Sequence, residues 1–300
     1  MSRWWLLAGL IAFGCESEIR SVPRPDPPSS GDPFGSPGAD APAPSTDATL
    51  TPAKPAACPS DMQEIQGDYC PFVGHRCLEW TNRTQGRCAR FEHRAICEGR
   101  VQARHFCMDR YEFPNQAGAL PVVMVSWFDA EASCRALGKR LCTESEWNFA
   151  CEGEERVPYP YGYDRDAEAC NIDRPYRFPD FNAFDSDRAV TDEVLRLDQR
   201  VQSGERACLS PFGVHDLTGN VDEWVVNESG KPYPSGLKGG YWGPIRARCR
   251  PMTTFHNQWF RFYQVGFRCC ADANAASTSP APSASPAASA SPAASATTLR

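Results

Sequence analysis

The stretch PVVMVSWFDAEASCRALGKRLCTESEWNFAC, residues 121–151, contains two helix starts of the same kind. Ser126 is followed three residues later by Asp129, and Thr143 by Glu146. A hydroxyl at the N-cap and a carboxylate at the third helical position satisfy two orphan amide groups reciprocally, so both places predict helix N-termini. In the first helix Trp127, Ala130, Cys134 and Leu137 fall at i, i+3, i+7 and i+10 and make one face. Gly138 ends it. The second helix carries Trp147, Ala150 and Cys151. Outward from this stretch, the short apolar runs Val122–Val125, Val221–Val226 and Val265–Cys269 read as strands. Between them lie loops rich in glycine, proline and aromatic residues. So little regular structure needs cross-links to hold it. The expected class is α+β, loop-rich and disulfide-rich.

The cysteines agree. The 300 residues include 15 of them, and all but Cys15 lie between Cys58 and Cys270. A dense, even set reads as a disulfide framework built in an oxidising compartment. Six cysteines fall between Cys58 and Cys107, and six permit 15 pairings among which sequence does not choose. No CxxC occurs, which argues against zinc. The formal charge is −6, with no long Lys/Arg run, so no nucleic-acid partner is expected.

The ends of the chain read differently from its middle. Arg3 precedes the apolar run Trp4–Phe13, which is too short to span a bilayer and has the form of an export signal over residues 1–14. Gly14 followed by Cys15 resembles the lipobox of bacterial lipoproteins, which implies lipidation of Cys15 and a membrane anchor. A plain signal peptide cut nearby is the alternative, and both readings export the chain. Residues 15–57 are rich in Pro, Ser, Ala, Asp and Gly and read as a disordered tether. Residues 273–300 are Ala/Ser/Pro low complexity and read as a disordered tail. The folded domain is therefore expected over residues 58–272.

Within it, residues 121–151 are followed in order by YPYG, CN, GVHDLTGNVDEW, LKGG and GFRC. Together these resemble the formylglycine-generating enzyme (sulfatase-modifying factor) family over about residues 106–272. The resemblance implies a loop-rich variant of the C-type lectin fold. It implies disulfides between Cys134 and Cys269 and between Cys151 and Cys249. The remaining later pairs are conjectured as Cys142–Cys270 and Cys170–Cys208.

The enzymes of the family bind Cu(I) through two thiolates placed after the GG segment, in a pattern like GGSxxCxxxxC. Soft sulfur suits that ion. Here the segment runs Gly239-Gly240-Tyr241-Trp242-Gly243-Pro244-Ile245-Arg246-Ala247-Arg248-Cys249, with no cysteine before Cys249 and a tyrosine in place of the serine. One thiolate cannot make a two-coordinate site, so copper chemistry and catalytic residues are not expected. Cys249 as a ligand rather than a disulfide partner stays open. Relatives that use iron need an HxxxHxE element, which His75, His93, His105, His215 and His256 do not form. No GxSxG supports a serine hydrolase.

The family also binds Ca²⁺ before its GNxxEW motif. Carried over, the ligands are Asp216, the carbonyls of Gly219 and Val221, and Glu223. A second ion would begin at Asn171 and the carbonyl of Ile172, with Asp185 and Asp187 as later ligands. Hard oxygens within Asp216–Glu223 suit calcium independently of the family. Tyr241, Trp242 and Trp259 lie where the family's substrate groove would be and are the candidate ligand-groove residues. Otherwise they belong to the core. Three readings follow: a copper-silent binding or structural module at the cell envelope with an envelope protein or glycan as partner; an active oxidoreductase modifying an envelope protein; and a carbohydrate or protein binder of C-type-lectin type.

Overall fold

The computed structural model describes residues 56–185 and 187–273. The signal (1–14), Cys15, nearly all of the tether and all of the tail beyond residue 273 lie outside them. The N-terminal third of the domain is built of strands: β1 (Met62–Tyr69), β2 (Val73–Gly74), β3 (Cys77–Asn82), β4 (Arg87–Phe91), β5 (Ile96–Cys97) and β6 (Gln102–Asp109). These strands fold back on each other. β1 pairs antiparallel with β6 along its whole length, from Met62 opposite Asp109 to Tyr69 opposite Gln102, and the β2–β5 and β3–β4 pairs lie between. An antiparallel fold-back places first beside last, so the cysteines pair like nested brackets: Cys58–Cys107, Cys70–Cys97 and Cys77–Cys88.

The two capped helices form where the hydroxyls place them. Helix α1 (Trp127–Ala136) and helix α2 (Glu144–Glu152) each begin with both halves of a capping box. β7 (Arg140–Leu141) joins them. From Ser145 to Glu152 every side chain of α2 is buried, which makes it the central helix of the domain rather than an amphipathic surface one. On α1, Ala130 and Cys134 face the core, but Leu137 is 51 % exposed, because it is the C-cap and lies past the last helical turn.

Val122–Val125 forms no strand. Val122 donates to the Phe113 carbonyl and Met124 to that of Phe262, and Met124 sits at φ 63, which breaks any ladder. Helix α3 (Asp187–Leu197) was not anticipated, although Val190, Val194 and Leu197 stand at i, i+4 and i+7. It follows a 3₁₀ turn over Phe181–Asp185 and packs Val194 and Leu197 against Tyr241, Trp242 and Tyr263.

The remaining strands are β8 (Asp222–Val226), β9 (Ser235–Lys238), β10 (Met252–Thr253), β11 (Val265–Phe267) and β12 (Cys269–Asp272). One sheet has the order β1-β6-β12-β7 and the other β10-β9-β8-β11. β11 runs parallel to β8, with Val265 opposite Asp222, whereas β12 pairs antiparallel with β6 and β7. The apolar run Val265–Cys269 is thus split at Arg268, the single residue across which the chain passes from one sheet to the other. Adjacent Cys269 and Cys270 point to opposite faces of β12, as strand alternation requires. Cys269 reaches Cys134 on α1, and Cys270 reaches Cys142 ahead of α2. Cys151–Cys249 and Cys170–Cys208 bring the disulfides to seven.

Candidate functional site

The segment from Gly239 to Cys249 leaves β9 through two glycines at φ 84 and 77. A Cβ on Gly239 would meet the Leu217 carbonyl at 2.9 Å and the Trp147 ring at 3.1 Å, so the close approach admits only glycine. Just upstream, Lys238 is fully buried over the Trp147 ring and donates to the Arg250 carbonyl at 2.8 Å; burial pushes its amine down to about 7. Beyond the glycines, Arg165 holds the segment in place. It donates to the carbonyls of Ile245 (2.8 Å) and Ala247 (3.3 Å) while gripping Asp173 with two nitrogens. Burial works against the Asp173 charge, but Arg165 and Arg87 together hold its carboxyl below the usual range.

Cys249 closes the segment. Its amide donates to the Pro158 carbonyl at 2.9 Å and its sulfur is bonded to Cys151. All fourteen described cysteines are bonded in this way. The described residues therefore offer no thiolate pair, and they do not fit a two-coordinate Cu(I) ion.

The turn from Asp216 to Glu223 lies against this segment. Asp216, Gly219 and Asn220 all have positive φ (59, 80 and 55), which curls the chain tightly. The Gly219 amide donates to the Gly239 carbonyl at 3.2 Å, and the Trp242 amide to that of Asn220 at 3.2 Å. Asn220 is completely buried. Its amide nitrogen donates to Glu112 Oε2 (2.8 Å), and its oxygen accepts from the Val201 amide (3.0 Å) and from Asn171 (3.1 Å).

The carboxylates here have separate fates. Glu223 accepts from Arg268 through both oxygens (2.6 and 2.8 Å) and from the Trp147 indole (2.8 Å). Burial opposes the Arg268 charge, yet Glu223 beside it keeps the guanidinium above its ordinary value. Glu223 is thus committed to an internal cation and is not free for calcium. Asp216 accepts from the Gly204 amide at 2.7 Å through one oxygen, and its other oxygen is buried with no partner. Glu112, which the sequence reading did not single out, also has one buried oxygen without a partner. Burial raises both carboxyls, Asp216 to about 6, and the neighbouring acids add to the rise.

Three carboxylates face one guanidinium, so the cluster lacks positive charge. Its two unpartnered oxygens, one on Asp216 and one on Glu112, are buried away from water, which is unfavourable for charged carboxylates. Among the described residues no group of three or more His, Cys, Asp or Glu side chains is placed to hold a metal ion.

The second expected calcium set does not assemble. Asn171 accepts from Arg174 (3.0 Å) and donates to the Gln199 carbonyl (2.9 Å) and to Asn220, so it is a strut with a guanidinium already on its oxygen. Ile172 is buried beside it in an apolar cluster. Asp185 is exposed on the 3₁₀ turn, and the side chain of Asp187 lies outside the described residues.

Of the groove candidates, Tyr241 and Trp242 are core; Trp242 is 1 % exposed. Only Trp259 faces solvent, at 69 %, with its ring 4.6 Å from Phe128. The histidines are dispersed: His215 stacks on Tyr111 with its Nδ1 unpartnered, so it forms no relay with Asp216.

Arg268→Met should strand the Glu223 charge and cost roughly 3–5 kcal/mol in urea denaturation with disulfides intact. Adding Glu223→Gln should recover part of that loss. A single-variant loss below about 1 kcal/mol would show that the pair does not organise the site.

The chain is similar to known proteins. Over 162 residues the chain is 30 % identical to the inactive C-alpha-formylglycine-generating enzyme 2 of Bos taurus, covering 51 % of this chain and 50 % of that protein. Over 172 residues it is 28 % identical to the formylglycine-generating enzyme of Thermomonospora curvata, covering 53 % of each. The chain spans about half the length of these relatives. The solved structure of PvdO from Pseudomonas aeruginosa superposes with a TM-score of 0.46 at 17 % identity, over 73 % of this chain and 100 % of that one. The sulfatase-modifying factor enzyme 1-like domain family matches residues 65–273, more than two thirds of the sequence, and the chain belongs to that family.

Proposed function

We propose that this protein is a copper-silent member of the family, exported and tethered to a membrane, that uses the scaffold as a binding or structural module at the cell envelope. The observation that carries the reading is that no cysteine stands from Gly239 to Arg248 and that Cys249 is taken up by the Cys151–Cys249 bond. That bond occupies the one sulfur near the position where the enzymes of the family place a thiolate pair. Similarity to a relative named inactive supports the same direction. Seven disulfides are the chemistry of an oxidising compartment, which supports export. No helix among the described residues is long and apolar enough to cross a membrane. Anchoring therefore rests on Cys15, which lies outside the described residues. The partner is an envelope protein or glycan.

Calcium has a supporting role in this reading. The ion would be held by Asp216 and Glu112, neutralising carboxylate charge that Arg268 alone leaves uncompensated. It would supply structural cohesion to the turn from Asp216 to Glu223 and no step of chemistry.

Three measurements test these statements. Purified protein exposed to Cu(I) and a cysteine-containing sulfatase peptide should leave the peptide mass unchanged; conversion of the cysteine to formylglycine defeats the copper-silent reading. Calcium should raise the melting temperature of the wild type and not that of Asp216→Asn, whereas an equal response of both places the ion elsewhere. Cys15→Ser should move the exported protein from the membrane fraction to the soluble one, and unchanged partitioning removes the lipid anchor.

A further inference from the structure

Arginines stand at alternate positions 246, 248 and 250, and between them Ala247 and Cys249 are buried. The three arginines line one cleft. Its opposite wall is the turn of the β3–β4 hairpin, with Arg83 and Gln85, where a Cβ placed on Gly86 would lie 3.9 Å from the Arg246 side chain. The cleft has a volume of about 540 Å³, and none of the described residues lining it is acidic.

The four guanidinium groups are not equally compensated. Arg250 is neutralised: it grips Glu152 and donates to the carbonyls of Cys70 (2.6 Å) and Pro71 (2.8 Å). Arg246 reaches only neutral acceptors, the Met252 carbonyl (2.9 Å) and Thr253 Oγ1 (3.2 Å). Arg83 is exposed and has no ion-pair partner among the described residues. Arg248 is half-buried against the Phe91 ring, 5.3 Å from its centroid, with a buried Nε that donates to nothing. Burial works against its charge, and Arg246 nearby adds to the cost. A guanidinium drawn out of water without an acceptor is unfavourable unless something else supplies one. Planar N–H forks match the oxygens of phosphate and sulfate groups.

We propose that this cleft is a binding site for a ligand carrying closely spaced tetrahedral oxyanions, phosphate or sulfate monoesters, with Arg83, Arg246 and Arg248 as the groups that engage it and Arg250 as a fixed wall. The cleft has no aromatic platform, so it reads charge and not a sugar face. The site is independent of copper chemistry. Its test needs neither metal nor peptide, so its failure would leave the copper-silent reading untouched.

The probes are tripolyphosphate and sucrose octasulfate, titrated calorimetrically into the oxidised protein at low and at physiological salt. At least one should bind saturably with one-to-one stoichiometry, and the stronger probe identifies which ester class the site prefers. Arg83→Gln and Arg246→Gln alter exposed side chains and should each weaken that binding about tenfold. Arg135→Gln, on the exposed face of α1, should leave it unchanged. Absence of saturable binding of both probes overturns the proposal. So does equal weakening by Arg135→Gln, which would mean unspecific attraction to surface charge.

Discussion

Arg268 belongs to neither sheet and touches both. It sits between β11 and β12, so its backbone is the crossing point. Its side chain pairs with Glu223 on β8, in one sheet, and donates to the Asp109 carbonyl on β6, in the other. A third contact, to the His215 carbonyl, reaches the turn that carries Asp216. Glu223 in turn accepts the Trp147 indole from α2. Two sheets, the central helix and the site loop therefore meet on one buried ion pair. A buried pair of this kind is weak evidence for net stability, because desolvation offsets much of the attraction. Its effect lies in geometry: with the carboxylate and the guanidinium both inaccessible, any packing that separates them exposes each to a dry environment without a partner.

The same pair explains why one expected calcium ligand is not available. A carboxylate with two oxygens accepting from a guanidinium and an indole has little capacity left for a metal. The charge shortfall moves outward to Glu112 and Asp216. Each has one satisfied and one unsatisfied oxygen, and each is held by the adjacent residues Ser203 and Gly204. Net negative charge in a dry pocket must be met by a proton or a cation.

Much of the architecture was legible because its signals are local. Ser126 with Asp129 and Thr143 with Glu146 fix two helix starts through chemistry confined to four residues each. Helix α3 is marked in the sequence by the spacing of Val190, Val194 and Leu197 alone, because Ala189 stands where a capping-box sequence would carry a carboxylate. The nested bonds of the N-terminal strands were not legible. They follow from which strands lie side by side, and cysteine spacing does not encode that. At the site, Asp216 is marked by the residues around it in sequence, whereas Glu112 comes from a distant segment and joins the cluster only through Asn220 and Ser203. Trp242 was placed in a groove by position alone; its burial depends on α3, which packs over it. The arginines at 246, 248 and 250 were visible as letters, but their period of two acquired meaning only when Ala247 and Cys249 proved to be the buried alternates.

That alternation decides what the segment can present. Two thiolates grip Cu(I) only when both sulfurs are free and on the same side of the chain. Here one face of the segment is taken by packing: Cys249 by its bond to Cys151, and Ala247 by the cluster around Cys170 and Cys208. Arg165 clamps the carbonyls of Ile245 and Ala247, so the segment is not free to roll and present its buried side. The outward face is what remains to vary, and it carries guanidinium groups. Fixing the backbone by a disulfide and an arginine clamp thus sets which face of the segment is presented. The proposed anion site depends on that choice, because Arg246 and Arg248 alternate with buried Ala247 and Cys249 along one backbone whose open face the fold decides.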